Sequence, residues 1–282
     1  MTGPVLLLLA RLLLAPGPGD APPEGLSRLI AAYPEKLDAA VCDSEGRWQL
    51  RWKDSTLMPW DDGVENKSPD DLLEHPDLED QVDVCYPAGR DRGVPPAPGH
   101  DPGRVRYEPF FRKMYGDSAR EAERNLLVVL WLPDTANRKM RASRVNEVYK
   151  HLEAVSRDVA ALPPEVRQVA EASFGTFNWR TVGGTTRLSA HAFGIAVDIG
   201  GKAADFWRWG TKKCRSAQGS EASACYRNRI PLEIVDAFER HGFIWGGKWS
   251  HFDTMHFEYR PELLPSPTGT PLPHCPAPGT SR

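Results

Sequence analysis

Ser189-Ala-His-Ala-Phe-Gly-Ile-Ala-Val-Asp198 decides how this chain is read, together with Trp249-Ser-His-Phe-Asp-Thr-Met-His-Phe-Glu258 about sixty residues later. From Gly194 onward, Ile195, Val197 and Ile199 alternate with Gly194, Ala196 and Asp198, the period of a strand with one buried face. Asp198 therefore points away from the core. In the second stretch Met255, Phe257 and Tyr259 alternate with Thr254, His256 and Glu258, which sets His256 and Glu258 on one face. Two neighbouring strands of this kind present Asp198 and His256 to a common point.

These residue types suit a metal-hydrolase centre, which needs three nitrogen or carboxylate ligands, an open position for water and a carboxylate within reach of that water. His191, Asp198 and His256 supply ligands for one zinc ion per chain, and Asp253 supplies the catalytic carboxylate. A single His among aromatic residues is usually packed and hydrogen-bonded, and a single Asp on a strand face is usually solvated. The joint occurrence of Ser-x-His-x-x-Gly-x-Ala-x-Asp and Asp-x-x-His-x-Glu is what favours the metal reading. His251, two residues before Asp253, offers a proton donor or a fourth ligand; a role supporting the ligands or facing substrate is expected, because a fourth protein ligand closes the position that water needs. Ser189 orients substrate or His191; no Ser-x-x-Lys or Gly-x-Ser-x-Gly context marks it as a nucleophile. Trp249 walls the pocket.

The paired motifs resemble those of the M15 metallopeptidases, zinc enzymes that cut peptidoglycan stem peptides. The resemblance extends from about Arg106 to Leu264 and implies His191, Asp198 and His256 as ligands and Asp253 as general base. It also implies an oxyanion-stabilising Arg upstream of the first motif, which Arg180 in Phe177-Asn178-Trp179-Arg180 matches, with Arg187 as its rival. The implied fold is α+β, an antiparallel sheet carrying the zinc site with helices packed on one side, of the M15/hedgehog peptidase type. The implied activity is D,D-carboxypeptidase or L,D-endopeptidase cleavage of a stem peptide. The competing reading is a non-catalytic, zinc-stabilised peptidoglycan-binding module, against which Asp253 argues, since a structural site has no need of a base.

A 40% hydrophobic content over 282 residues is enough to bury a full core in one or two domains. With 35 Lys and Arg against 38 Asp and Glu, and no massed cations, the chain has no electrostatic footprint for nucleic acid. Residues 1–21 contain an apolar stretch interrupted by Arg11, too short to span a bilayer and placed where a signal peptide belongs. The mature chain is accordingly expected to be an extracytoplasmic monomer, periplasmic or secreted, without a transmembrane helix.

Of the five cysteines, Cys214 and Cys225 are spaced for one bridge and Cys42 and Cys85 for a second, which leaves Cys275 unpaired. Residues 22–103 form an N-terminal region and linker, with the main boundary in the Pro- and Gly-rich stretch from Pro87 to Gly103. Residues 104–264 form the peptidase domain, and 265–282 a Pro-rich, disordered tail. Helices are predicted over Leu26–Tyr33, from an N-cap at Ser143 through Val159, and from Pro231 to Gly242. Strands are predicted at Trp48–Trp52 and at Asn125–Leu132, the latter a buried strand of the central sheet. The acidic stretch Asp70–Asp83 reads as a solvated face.

Overall fold

The computed structural model describes residues 21–89, 99–209 and 226–265. The leader, the Cys214–Cys225 bridge, Cys275 and the Pro-rich tail lie outside the described residues. Among the described residues no helix is long and apolar enough to cross a membrane.

The described chain opens with helix α1 (Glu24–Ala32), which buries Leu26 and Leu29. A three-stranded antiparallel meander follows, β1 (Leu37–Cys42), β2 (Trp48–Trp52) and β3 (Leu57–Pro59), with Leu50 and Trp52 buried. Ser68 caps helix α2 (Pro69–Glu74): its hydroxyl accepts from the Asp71 N–H while the Asp71 carboxylate accepts from the Ser68 N–H. The acidic stretch beyond departs from the solvated face its composition suggests. Lys67 Nζ is buried among Asp62, Asp77 and Asp80 at 2.9, 3.0 and 2.6 Å. Carboxylates this close together need a cation, and the ammonium provides it. Asp61, Asp62 and Asp77 are grouped tightly enough to suggest a metal site, but Lys67 already bonds two of the three.

Helices α3 (Glu108–Tyr115) and α4 (Ala119–Arg124) lead into the hairpin β4 (Leu126–Trp131) and β5 (Arg138–Ser143). The apolar run at β4 is a strand, but not one of the central sheet, since it pairs with β5 alone. Val129 and Trp131 are buried, whereas Val128 and Leu130 are 56% and 47% exposed. A sheet covered on one face leaves alternate side chains in solvent, so a continuous apolar run did not require two buried faces here.

Helix α5 (Val148–Ala160) begins later than the sequence suggests. Ser143 instead closes β5 and accepts from the Val145 N–H at 3.1 Å, and Asn146 and Glu147 adopt φ of 52° and 54°, which a right-handed helix cannot include. The predicted stripe of Val148, Leu152, Val155 and Val159 is buried.

Helix α6 (Pro164–Glu171) precedes a third antiparallel sheet of β6 (Ser173–Gly175), β7 (Ala196–Ile199), β8 (Phe243–Trp245) and β9 (His256–Tyr259), in the order β6-β7-β9-β8. Helix α7 (Leu232–Arg240) follows Pro231 as expected, and its Phe238 ring stacks on Phe257 of β9 at 3.9 Å. The class is mixed α+β with small antiparallel sheets.

The N-terminal region shares its core with the rest of the chain. Tyr33 and Trp52 meet Phe110 with ring centroids 5.7 and 5.5 Å apart, and one cluster of buried apolar residues runs from Leu26 to Tyr259. The described end of the connector is packed too: Trp249 Nε1 donates to Pro102 O at 2.7 Å. Cys85 is disulfide-bonded, but not to Cys42, which keeps its thiol with Sγ 3.6 Å from Asp43 O. Sequence spacing does not decide which cysteines meet.

Candidate metal centre

The first motif folds as a turn followed by a strand. Ser189 caps a 3-10 turn over Ala190–Phe193, with its Oγ accepting from the His191 N–H at 3.4 Å. Gly194, at φ +67°, swings the chain into β7; a Cβ there would stand 2.4 Å from Leu126 Cδ2, so the position suits glycine for space and for backbone angle. β7 and β9 are antiparallel neighbours with Asp198 directly opposite His256. The turn therefore delivers His191 to a pair of residues already set side by side by strand register.

Three ligand atoms converge. His191 Nε2 lies 3.1 Å from Asp198 Oδ1 and 3.3 Å from His256 Nδ1, and His256 Nδ1 lies 3.1 Å from the same Asp198 oxygen. A tetrahedral zinc ion with ligands at about 2.0–2.1 Å holds them about 3.3 Å apart. The triangle has those dimensions, and two imidazoles with one carboxylate are a donor set that zinc accepts.

The far sides of the imidazoles are tied down. His191 Nδ1–H donates to Thr176 O in a short bond, and His256 Nε2–H donates to Glu258 Oε2 at 3.4 Å. Each bond puts the ring hydrogen on the remote nitrogen and turns the other lone pair toward the triangle. Burial opposes the negative charge of Asp198, but the two imidazoles outweigh it and hold the carboxyl well below the usual range. Burial likewise opposes a charge on His256, yet Asp198 and Glu258 raise it to about 10.

Asp253 stands outside the triangle. It is bridged to Phe206, and its N–H donates to Gly246 O at 2.9 Å. Its Oδ1 is buried with no hydrogen-bond partner among the described residues. Burial pushes its carboxyl up to about 6, with Asp198 adding to the rise and His256 opposing it. A carboxyl with an unused oxygen and a pKa near neutrality is suited to exchanging protons.

Residues 183–259 match the M15 peptidase family model described as D-alanyl-D-alanine carboxypeptidase. The resemblance seen in the two motifs holds over this matched segment, which contains His191, Asp198, His256 and Asp253 and begins after Arg180. No curated protein and no solved structure matches the chain.

Other residues singled out in the sequence fall around the His191–Asp198–His256 triangle at different depths. Trp249 is buried with its ring centroid 5.6 Å from that of His256. His251 is half-exposed and belongs to a separate pair: Asp101 Oδ2 lies 2.6 Å from its Nδ1, Asp101 Oδ1 accepts its backbone N–H, and the Trp207 ring is 4.7 Å away. Arg180 is exposed and donates to Thr181 O, while the backbone bond from Ser189 N to Arg180 O at 3.0 Å sets it beside the turn that carries His191. Arg187 is half-buried and donates to Glu74.

Sequence reasoning passed over Thr176, Arg106, Asp101 and any role for Glu258. Thr176 and Asp101 left no local signal, since each acts through a residue 15 or 150 positions away. Glu258 did leave one: His256, Glu258, Arg260 and Glu262 are four polar residues at two-residue spacing, all buried, where the alternate positions Phe257 and Tyr259 are apolar.

Proposed function

We propose that this protein is a zinc-dependent, extracytoplasmic peptidase that hydrolyses a peptide bond in peptidoglycan stem peptides, of D,D-carboxypeptidase or L,D-endopeptidase type. The observation that carries this reading is the triangle of His191, Asp198 and His256 with a carboxylate oxygen of Asp253 nearby in the fold that has no hydrogen-bond partner among the described residues. The family match over residues 183–259 supports the substrate class. The apolar leader and the disulfide at Cys85 support the compartment.

His191, Asp198 and His256 would hold the ion, with Thr176 and Glu258 fixing the two imidazoles. A zinc ion, when bound, supplies Lewis acidity, lowering the pKa of water toward about 7 and polarising the scissile carbonyl. Asp253 accepts a proton from the attacking water and returns it to the amine nitrogen as the peptide bond breaks. Arg180 stabilises the oxyanion, a contribution of roughly 3 kcal/mol for one donor of this kind. Ser189 holds the turn of His191, Trp249 closes the pocket behind His256, and His251, aligned by Asp101, faces substrate.

The test is mass spectrometry of defined muropeptides incubated with zinc-loaded protein, in which the mass released identifies the bond. Asp253→Asn is expected to retain zinc and lose at least about 10²-fold in rate. Wild-type protein that binds zinc and peptidoglycan but releases no fragment would establish a binding module instead.

A further inference from the structure

The four polar residues that alternate along and beyond β9 form one buried chain leading away from the ligand triangle. His256 Nε2 donates to Glu258 Oε2 at 3.4 Å. Arg106 Nη1 donates to that same oxygen at 2.9 Å, and Arg260 Nη1 reaches Glu258 Oε1 at 3.4 Å. Arg260 is itself clamped: Nε donates to Glu262 Oε1 at 2.6 Å, Nη1 to Gly103 O at 2.9 Å and Nη2 to Gln81 O at 3.3 Å. Tyr33 Oη closes the chain by donating to Glu262 Oε2 at 2.7 Å. Tyr33, Glu258, Arg260 and Glu262 are at most 1% exposed.

Burying two carboxylates and two guanidiniums costs stability unless every member is paired, and replacing such a cluster with apolar residues is often neutral or stabilising. The cluster therefore needs a reason beyond stability, and its geometry supplies one. We propose that Glu258 is a positioning residue for His256: a carboxylate pinned by Arg106 and Arg260 holds the hydrogen on Nε2 and keeps Nδ1 aimed at the ligand triangle. Residues 22–103 form part of its mounting, because Tyr33 and Gln81 fix the Arg260–Glu262 end. This rests on the metal reading above and gives the N-terminal region a role in it.

Glu258→Gln preserves the shape of the side chain and removes its charge. Zinc affinity is measured by competition with a chromophoric chelator, on full-length protein, beside wild type and Tyr33→Phe. The last removes a hydrogen bond from the same buried chain but leaves the Glu258–His256 contact alone. Glu258→Gln is expected to weaken zinc binding about 10- to 100-fold, with Tyr33→Phe within about twofold of wild type. Equal affinity in Glu258→Gln and wild type, or equal weakening in both variants, overturns the proposal, the second because general loosening would then explain the effect.

A measurement on unaltered protein keeps the proposal testable if Glu258→Gln does not fold: long-range ¹H–¹⁵N imidazole spectra of the zinc-loaded protein should show His256 protonated on Nε2 alone. Protonation on Nδ1, or exchange between the two, overturns it. Wild-type protein that takes up no zinc overturns the metal reading itself, a different result from any of these.

Discussion

Asp253→Asn should stabilise the metal-free protein at neutral pH while lowering the activity of the zinc-loaded protein at least about 10²-fold. The folded environment raises this carboxyl from 3.8 to about 6, with burial the largest cause, which corresponds to about 3 kcal/mol of differential interaction between the two protonation states. The sign follows from linkage. Between pH 3.8 and 6 the folded state binds the proton more tightly than the unfolded state, so wild-type stability falls as pH rises through that window and the full loss is present above it. Asparagine does not ionise and escapes the loss.

The stability gap between the Asp253→Asn variant and wild type is therefore expected to grow from about 1 kcal/mol at about pH 4.5 to about 3 kcal/mol at about pH 7.5. Urea unfolding of both chelator-treated proteins across that range measures it, and the pH dependence of groups that do not interact with Asp253 cancels in the difference. A gap that does not change with pH, or a variant less stable than wild type at the upper end of the range, would refute the reasoning. Growth of the gap together with loss of peptidase activity would identify Asp253 as a group kept for chemistry at the expense of stability.

Three further outcomes are expected. His191→Ala and His256→Ala should each lose bound zinc by elemental analysis and lose activity with it; wild-type zinc content in either removes that residue from the ligand set. Lys67→Met leaves Asp62, Asp77 and Asp80 without their shared cation and should cost about 3–5 kcal/mol in urea unfolding, whereas a loss below about 1 kcal/mol would mean that solvent already screens the cluster. Peptide mapping under non-reducing conditions should recover Cys85 in a disulfide with a partner other than Cys42; a Cys42–Cys85 peptide would contradict the structure.

The sequence alone was enough to single out His191, Asp198 and His256, which the structure brings together, because the pattern that marks them is short-range. Two-residue alternation placed Asp198 and His256 on strand faces, and in the structure those strands are neighbours with the two residues directly opposite. Helix α7, strand β2 and the buried stripe of α5 were legible for the same reason: each is a local periodicity bounded by local signals such as Pro231. Tertiary structure decided what depends on partners distant in the chain. Whether β4 lay in the central sheet depended on which strand came to pair with it; whether the acidic stretch was solvated depended on where Lys67 went. The supports of the site belong to the same class, since Thr176, Arg106 and Asp101 act only through contacts that folding creates. Bond geometry along a strand acts over two residues, whereas desolvation and pairing of charge depend on everything packed around a group, so the candidate ligands were visible in the sequence and their environment was not.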